Sequence, residues 1–170
     1  MGVIDERLDL ALLDAVAEMR PGWEILLLGP TVKIDPATIP SRPNVHRLGK
    51  QPYQELPAWL GCWDVGLMPF ARNESTRFIS PTKTAEYLAA GLPVVSTPIL
   101  DVVRTWGQTV RIAADASSFV DACEGALAER RSGSLQRRNR ADVQLSTGSW
   151  DRTWAAMDAE VAALVGVMAS

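Results

Sequence analysis

The chain has 170 residues, of which 47% are hydrophobic and 22% charged, with a formal net charge of −3 at pH 7. This length fits one folded domain with a packed core, and the composition excludes a disordered chain. Two cysteines and a single histidine exclude a disulfide scaffold and a Cys/His zinc site, and the acidic balance argues against nucleic acid as a partner. No apolar run reaches the ~18 residues of a membrane span and residues 1–20 do not resemble a secretory signal, so we expect a cytoplasmic protein.

Helical and strand-like runs alternate along the chain. Apolar residues at helical spacing predict an amphipathic helix over residues 6–20 with Asp5 as its N-cap, and a short helix begins near Tyr53. Short apolar runs predict five strands, at residues 24–29, 45–48, 65–70, 93–97 and 109–113. Further helices are expected at residues 81–90, 116–130 and 150–166. Strands separated by helices predict a parallel α/β sheet with helices on both faces, whose ligands lie beyond the carboxyl ends of the strands.

The segment that begins at Ser80 contains a lysine in an unfavourable position. Ser80 followed by Pro81 is a typical helix start, with serine as N-cap and proline at the first helical position. Lys83 then falls in the first turn, where a cation opposes the positive end of the helix dipole. A bound anion would remove the conflict, because backbone N–H groups, the Ser80 and Thr82 hydroxyls and the Lys83 ammonium would converge on one phosphate. Arg77 precedes the cap and could reach the same charge.

Glu86 lies on the same helical face as Lys83, three residues later. A carboxylate one turn from a phosphate site can accept hydrogen bonds from ribose hydroxyls, so the two residues together indicate a nucleoside diphosphate. The alternative is an exposed Lys83–Glu86 ion pair worth ~0.5 kcal/mol or less, and spacing alone favours neither interpretation. The usual dinucleotide and P-loop glycine motifs do not occur in the sequence.

The run Ser80-Pro-Thr-Lys-Thr-Ala-Glu-Tyr-Leu-Ala-Ala-Gly-Leu-Pro-Val-Val-Ser-Thr-Pro98 resembles the donor-binding segment of bacterial group 1 glycosyltransferases of GT-B fold. The flanking phrases Asn44–Gly49, Trp63–Phe70 and Ser149-Trp-Asp fit the same family. The resemblance covers nearly the whole chain, in order. It implies a single nucleotide-sugar-binding domain over residues 1–170, equivalent to the Rossmann-like C-terminal half of such enzymes.

The resemblance assigns roles to individual residues. Glu86 matches the second glutamate of the family's Glu–seven residues–Glu motif, which holds the ribose, and Thr82 and Lys83 match positions that contact the diphosphate. Gln51 falls where backbone groups receive the nucleobase, and Tyr53 could add stacking.

Two positions depart from the family pattern. The first glutamate of the motif falls at Phe78, which cannot hydrogen-bond a sugar, and Glu74 is the candidate substitute. Many relatives carry basic residues in a glycine loop that corresponds to the residues after Gly2. Arg7 is the single basic candidate there, and the slightly favoured alternative is that Arg7 is a solvated residue of the first helix.

Related sequences also carry a strand just before the equivalent of Gly2, at the centre of the sheet, and an N-terminal acceptor domain. Met1-Gly2 begins this sequence, so we expect that the first strand is missing. The sequence is then either a fragment, or its sheet is completed in another way, such as by another chain.

The implied full enzyme is a retaining, metal-independent hexosyltransferase of polysaccharide biosynthesis that uses a UDP- or GDP-sugar and no cofactor. The helix dipole, Lys83 and Arg77 would neutralise the departing diphosphate. The acceptor, a glycan or lipid, would bind through the missing N-terminal domain, so we expect no transfer by this chain alone.

Two other functions stay open at this stage. One is a degenerate, non-catalytic nucleotide-binding or interaction domain, which the Phe78 departure favours. The other is a nucleotide-sugar epimerase-like domain, which shares the fold and needs acid–base carboxylates. A homo-oligomer through an exposed sheet edge or the C-terminal helix is a further expectation.

Several remaining features are expected to be structural. The last helix carries an apolar stripe, which predicts that this face of the helix packs in the core. The stripe consists of Trp150, Trp154, Met157, Val161 and Leu164. A basic cluster predicts a solvated face, and peripheral contact to the inner membrane is the minority alternative. The cluster consists of Arg130, Arg131, Arg137, Arg138 and Arg140. His46 is expected within a strand, and Cys62 and Cys123 in the core.

Overall fold

The computed structural model describes residues 1–148 and 150–168, with side chains for residues 1–148 and 151–164. Its strands are β1 (Ile25–Leu28), β2 (Val45–Gly49), β3 (Gly66–Met68), β4 (Val94–Ser96) and β5 (Arg111–Ile112). Its α-helices are α1 (Leu10–Met19), α2 (Leu56–Gly61), α3 (Lys83–Ala89), α4 (Leu100–Trp106), α5 (Ala116–Arg131), α6 (Leu135–Thr147) and α7 (Trp150–Met168). All five predicted strands are confirmed, whereas α4 and α6 were not predicted.

The strands form two parallel sheets. In the first, β1 pairs with β2, with Ile25 opposite Val45. In the second, β4 lies between β3 and β5, so Val95 is paired with Leu67 on one side and with Arg111 on the other. Helices cover both faces, and the predicted α/β class is confirmed.

The core has one layer on each side of the strands. One buried cluster joins α1 and α5 to β1 and includes Val16, Ile25 and Phe119. The other joins α3, α4 and α6 to β3 and includes Tyr87 and Val102. Neighbouring residues of β4 alternate between the two layers, since Val94 packs in the second cluster and Val95 in the first. This alternation explains why the strand is apolar throughout.

Residues 2–9 connect the two sheets at the carboxyl ends of their strands. On one side, Gly2 N–H donates to Leu28 O at 2.8 Å and Ile4 N–H to Pro30 O at 2.9 Å. On the other side, Asp9 N–H donates to Pro69 O at 2.8 Å. Within residues 1–148, no strand lies between β1 and β3.

The first helix begins later than the sequence predicts. Asp9 is its N-cap and accepts a hydrogen bond from Leu12 N–H at 2.9 Å. Asp5 is instead buried and accepts from the Arg7 guanidinium, with Arg7 Nη2 at 2.6 Å from its Oδ2. The prediction of Asp5 as N-cap was therefore wrong, because the carboxylate is used by the loop before the helix.

Helix α7 does not pack its apolar stripe into the core. Trp154 is 69% exposed, and more than half of each side chain is also exposed for Met157, Val161 and Leu164. The core-packing prediction is wrong for these four residues, since none of the elements within residues 1–148 covers them. The Trp150 side chain and Ser149 lie outside the described residues.

Two smaller predictions also need correction. Cys123 is buried as expected, but Cys62 is exposed. The basic cluster is not solvated throughout, because Arg137 is half-buried and donates to Gly91 O at 2.8 Å. Arg130 is also half-buried and turned toward the same carbonyl oxygen.

Candidate functional site

The candidate site lies where the amino end of α3 meets the first residues of the chain. The Met1 amino group donates to Tyr87 Oη at 2.9 Å. A Cβ added to Gly2 would stand 3.8 Å from Lys83 Cε, so the lysine stem passes directly over this glycine. The structure thus brings the first residues of the chain together with α3, more than eighty residues later in the sequence.

Lys83 and Glu86 form an ion pair on the exposed side of α3. Lys83 Nζ lies 2.7 Å from both Glu86 Oε1 and Oε2. The two side chains are 31% and 41% exposed, so water reaches both. The helical spacing predicted this proximity correctly. Because each group is the other's partner, a phosphate that binds Lys83 competes with the Glu86 carboxylate.

The amino end of α3 differs from the predicted one. Thr82 occupies the N-cap position without a side-chain hydrogen bond, and Lys83 is the first helical residue. Ser80 does not cap the helix, because its hydroxyl donates to Asp101 Oδ2 on α4 at 2.6 Å. The predicted Ser80 cap was therefore wrong, although Ser80 and Thr82 both remain exposed before the first turn.

Glu74 and Arg77 lie on an exposed loop segment. Glu74 begins a short 3₁₀ helix, and Arg77 Nη1 lies 3.8 Å from its carboxylate. The Arg77 guanidinium also stacks over the Phe78 ring at 5.1 Å from the ring centroid. Phe78 is 81% exposed, so the position where the family motif has its first glutamate faces water.

Gln51 and Tyr53 follow the carboxyl end of β2. Gln51 Nε2 donates to Leu48 O at 2.8 Å, so its side chain closes the turn after the strand. Tyr53 is 82% exposed and available for stacking. Gly49 accepts a hydrogen bond from Gly29 N–H at 2.8 Å, which holds the loops after β1 and β2 side by side.

Three features of the site were missed in the sequence. Gly29 approaches Gly2 so closely that a Cβ on Gly29 would lie 1.8 Å from Gly2 O. Burial, followed by the nearby Lys83 charge, lowers the pKa of the Met1 amino group from 8.0 to about 6, against an opposing effect of Glu86. Burial also raises the pKa of the Tyr87 phenol. Of the three, only the close approach at Gly29 had a signal in the sequence, the Gly29-Pro30 pair directly after β1. From the sequence alone, this pair indicates only the end of a strand.

Arg7 is committed to a local partner. Its Nε lies 3.0 Å from both Asp5 carboxylate oxygens, and this hydrogen bonding lowers the pKa of Asp5. Arg7 therefore lies in the loop before α1, where its Nε and Nη2 groups are used by Asp5.

Metal ligands and membrane helices were also sought in the described part of the chain. There, His, Cys, Asp and Glu side chains form no group of three or more that could hold a metal ion. None of the helices described above combines the length and the apolar character needed to cross a membrane.

A parallel α/β domain with its polar loops at the carboxyl ends of the strands is the architecture of nucleotide-binding proteins. Within that class the chain belongs to the glycosyl transferases group 1 family, whose family model matches residues 7–129. The predicted family is confirmed.

A curated relative and two solved structures illustrate the similarity. TuaH of Bacillus subtilis (strain 168), provisionally named as a teichuronic acid biosynthesis glycosyltransferase, is 28% identical over an alignment of 152 residues that covers 85% of this chain and 38% of TuaH. The α,α-trehalose 6-phosphate synthase of Burkholderia multivorans superposes with a TM-score of 0.65 at 18% identity, over 99% of this chain and 44% of that one. The C-terminal CMP-Kdo binding domain of WaaA from Acinetobacter baumannii gives a TM-score of 0.53 at 18% identity, over 85% of this chain and 88% of that one.

These similarities show the fold of a C-terminal GT-B domain. The chain spans 38% of the length of TuaH and 44% of that of the trehalose 6-phosphate synthase.

Proposed function

We propose that this chain is the donor-binding half of a group 1 glycosyltransferase and binds a UDP- or GDP-sugar beside the amino end of α3. The observation that carries the proposal is the Lys83–Glu86 ion pair, which lies within the segment that the family model matches. The stem of Lys83 passes over Gly2. The pair offers a cation and a carboxylate to one ligand. A diphosphate and a ribose have the complementary chemistry.

The diphosphate would take the place of Glu86 as the partner of Lys83. The Lys83 ammonium is half-exposed, and the N–H groups of the first turn of α3 add positive potential next to it. Arg77 can reach the same charge by leaving Glu74, to which its 3.8 Å contact is loose. Stabilising the leaving diphosphate in this way needs no metal ion. Retention at the anomeric carbon and transfer of a hexosyl group are what the family resemblance implies, and we propose both on that ground.

Glu86, once released from Lys83, would accept hydrogen bonds from the ribose hydroxyls. The exposed Ser80 and Thr82 hydroxyls would complete the phosphate site, with Ser80 turning away from Asp101. Gln51 through its backbone and Tyr53 through its ring would receive the base, and Glu74 is the candidate for the missing first glutamate. TuaH is named for teichuronic acid biosynthesis, which supports a role in polysaccharide biosynthesis. The acceptor in this proposal is a glycan or lipid, bound by a further domain.

The binding experiment compares nucleosides with nucleoside diphosphates. We expect UDP or GDP to bind the chain, and Lys83→Ala to weaken that binding at least tenfold, or about 1.4 kcal/mol. Uridine or guanosine binding should not be weakened, because the change leaves Glu86 free to accept from the ribose. Glu86→Ala should weaken nucleoside binding, because it removes the ribose acceptor. It should weaken nucleoside diphosphate binding less, because it also releases Lys83 for the diphosphate. Arg104→Ala removes an exposed cation from α4 and serves as the matched control.

Saturation-transfer NMR with UDP, GDP, UDP-glucose and GDP-mannose provides the first measurement, and calorimetry the affinities. A folded chain that binds none of the four would contradict the proposal. That result would favour a non-catalytic interaction domain, the alternative that the exposed Phe78 supports.

Catalysis is tested in a full-length enzyme that contains this domain. Lys83→Ala should cost ~3 kcal/mol of transition-state stabilisation, by analogy with the loss of one oxyanion donor. A loss of less than threefold in rate would remove Lys83 from the mechanism.

A further inference from the structure

A small polar cavity lies at the amino end of β5. Its volume is about 280 Å³, and it is lined by the residues just before and at the start of β5, by the end of α5 and by the first turns of α6. The candidate donor site lies at the carboxyl ends of the strands, so this cavity is on the opposite edge of the parallel sheet. The volume equals that of about nine water molecules, which suits a small ligand.

Three arginines line the cavity, against one carboxylate among the described residues. The arginines are Arg111 of β5 and Arg137 and Arg140 of α6, and the carboxylate is that of Glu129. Glu129 is already paired, since its Oε1 lies 2.6 Å from Arg111 Nη2. The wall of the cavity therefore has two more positive than negative charges.

Arg137 has more hydrogen-bond donors than acceptors around it. Its Nη2 donates to Gly91 O at 2.8 Å, but its Nε and Nη1 are buried without a hydrogen-bond partner in the described part of the chain. Burial lowers the pKa of this guanidinium, Glu129 opposes that effect, and the Arg138 and Arg130 charges lower the pKa further. Because a partly buried cation with unpaired donors is unfavourable, an anion beside Arg137 would stabilise it.

Arg111 is held in place by two neighbours that leave one of its donors unused. Besides its contact with Glu129, the guanidinium lies against Gly125 of α5, where a Cβ would come within 2.9 Å of Arg111 Nη1. Arg111 Nε is buried and has no hydrogen-bond partner within the residues that the structure describes. The arginine is thus positioned at the cavity with a donor available to a ligand.

The amino end of α6 adds to the positive potential of the cavity. Its first turn contains no acidic residue, although carboxylates are the favoured charges at that end of a helix. Arg137 and Arg140 place cations there instead. The Gln136 and Arg140 side chains line the cavity and are exposed, so both can turn toward a ligand.

We propose that the cavity between β5 and α6 binds a phosphate group, with Arg111, Arg137 and Arg140 as its cationic partners. A phosphate monoester carries about two negative charges at pH 7 and three acceptor oxygens, which match the unbalanced charge and the unpaired donors. Guanidinium groups pair with phosphate through two parallel hydrogen bonds, and a small turn of the Arg111 and Arg137 planes would present their buried donors to it. The inference is independent of donor binding.

The phosphate can come from a soluble ester or from a lipid headgroup, because both present the same chemical group. The first experiment titrates this chain with inorganic phosphate and with glycerol 3-phosphate at constant ionic strength, set with sodium chloride, and follows the backbone amides by NMR. For a soluble source we expect saturable shifts of the Val110, Arg111 and Gln136 amides. Shifts of the Lys83 amide report separately on the donor site.

Two variants distinguish a defined site from a diffuse basic surface. Arg140→Gln changes an exposed side chain of the cavity and should weaken phosphate binding about tenfold. Arg131→Gln is the matched control, because it removes an exposed arginine of the same basic cluster that does not line the cavity. It should weaken binding less than twofold. Melting temperatures of both variants check that the fold is kept.

A second experiment distinguishes the two sources of the phosphate. The chain and both variants are sedimented with phosphatidylcholine vesicles that contain phosphatidic acid, and pure phosphatidylcholine vesicles are the control. Vesicle binding that Arg140→Gln weakens and Arg131→Gln does not would support the proposal with a lipid headgroup as the source. Binding of the soluble phosphates without vesicle binding would support it with a soluble ester.

Two outcomes would overturn the proposal. One is that neither soluble phosphate shifts the amides around the cavity and the vesicles containing phosphatidic acid do not bind the chain. The other is that Arg140→Gln weakens binding no more than Arg131→Gln does, which would mean that a diffuse basic surface attracts the anion.

Discussion

Gly29 shows how tightly single residues are constrained where the chain crosses itself. Its φ of +144° is unfavourable for other residues, and a Cβ would lie 1.8 Å from Gly2 O. We expect Gly29→Ala to lower the free energy of unfolding by about 2–4 kcal/mol, measured by urea denaturation. Gly22→Ala is the control, since a Cβ there meets no atom within 4 Å. Equal stability of the two variants would contradict the close approach.

The buried amino group of Met1 predicts a specific pH dependence. Its pKa is lowered from 8.0 to about 6 in the folded state, chiefly by burial, so the unfolded chain binds more protons between these values. Stability should therefore rise as pH increases from 6 to 8, by up to about 3 kcal/mol. Thermal or urea unfolding across this range, on protein shown by mass spectrometry to retain Met1, measures the effect. The same chain acetylated at the Met1 nitrogen should lack this rise in stability with pH. If the free energy of unfolding rises with pH as steeply after acetylation as before, the rise belongs to another group.

At the scale of elements, α3 shows how a tertiary contact changes a helix end. Ser80-Pro81 has the local signature of a helix start, yet the helix begins at Lys83. The Ser80 hydroxyl donates to Asp101, which follows β4 in sequence and starts the next helix. A hydroxyl held by a neighbouring helix cannot cap its own.

Helix α7 is expected to contribute little to the stability of this chain. Side chains 151–164 are exposed, and a helix without a packed face adds little free energy. Ending the chain at Gly148 should change the free energy of unfolding by less than about 1 kcal/mol in urea denaturation. Ending it at Gly133 is the comparison, since this also removes α6 and its buried Ala141, and should destabilise strongly. A large loss on removing α7 alone would mean that it packs on the domain in solution.

At the scale of the whole molecule, we expect this chain to bind the nucleotide part of the donor without transferring the sugar. This chain spans 38% of the length of TuaH, and sugar transfer needs donor and acceptor held together. We expect the chain to bind UDP or GDP without transferring sugar from a UDP- or GDP-sugar to a glycan or lipid acceptor, measured by product detection with radiolabelled donor. Adding a polypeptide that supplies the acceptor-binding domain should restore transfer. Transfer by this chain alone would contradict the proposed division of labour.

Much of the architecture follows from the sequence by itself. Four of the five strands end at, or within two residues of, Gly or Pro, and these boundaries can be read locally in the sequence. The Lys83–Glu86 proximity is equally local, because three residues on one helix face bring the two side chains together. The family resemblance, carried by residues 80–98, predicted the fold class and the family for the same reason.

Other features were decided by contacts between residues far apart in the chain. The use of Ser80 by Asp101 and the bond from Met1 to Tyr87 depend on which surfaces meet after folding. The exposure of α7 depends in the same way on what the rest of the chain leaves uncovered. A sequence pattern shows which side chains prefer burial, but the space available to them is defined by the tertiary structure alone.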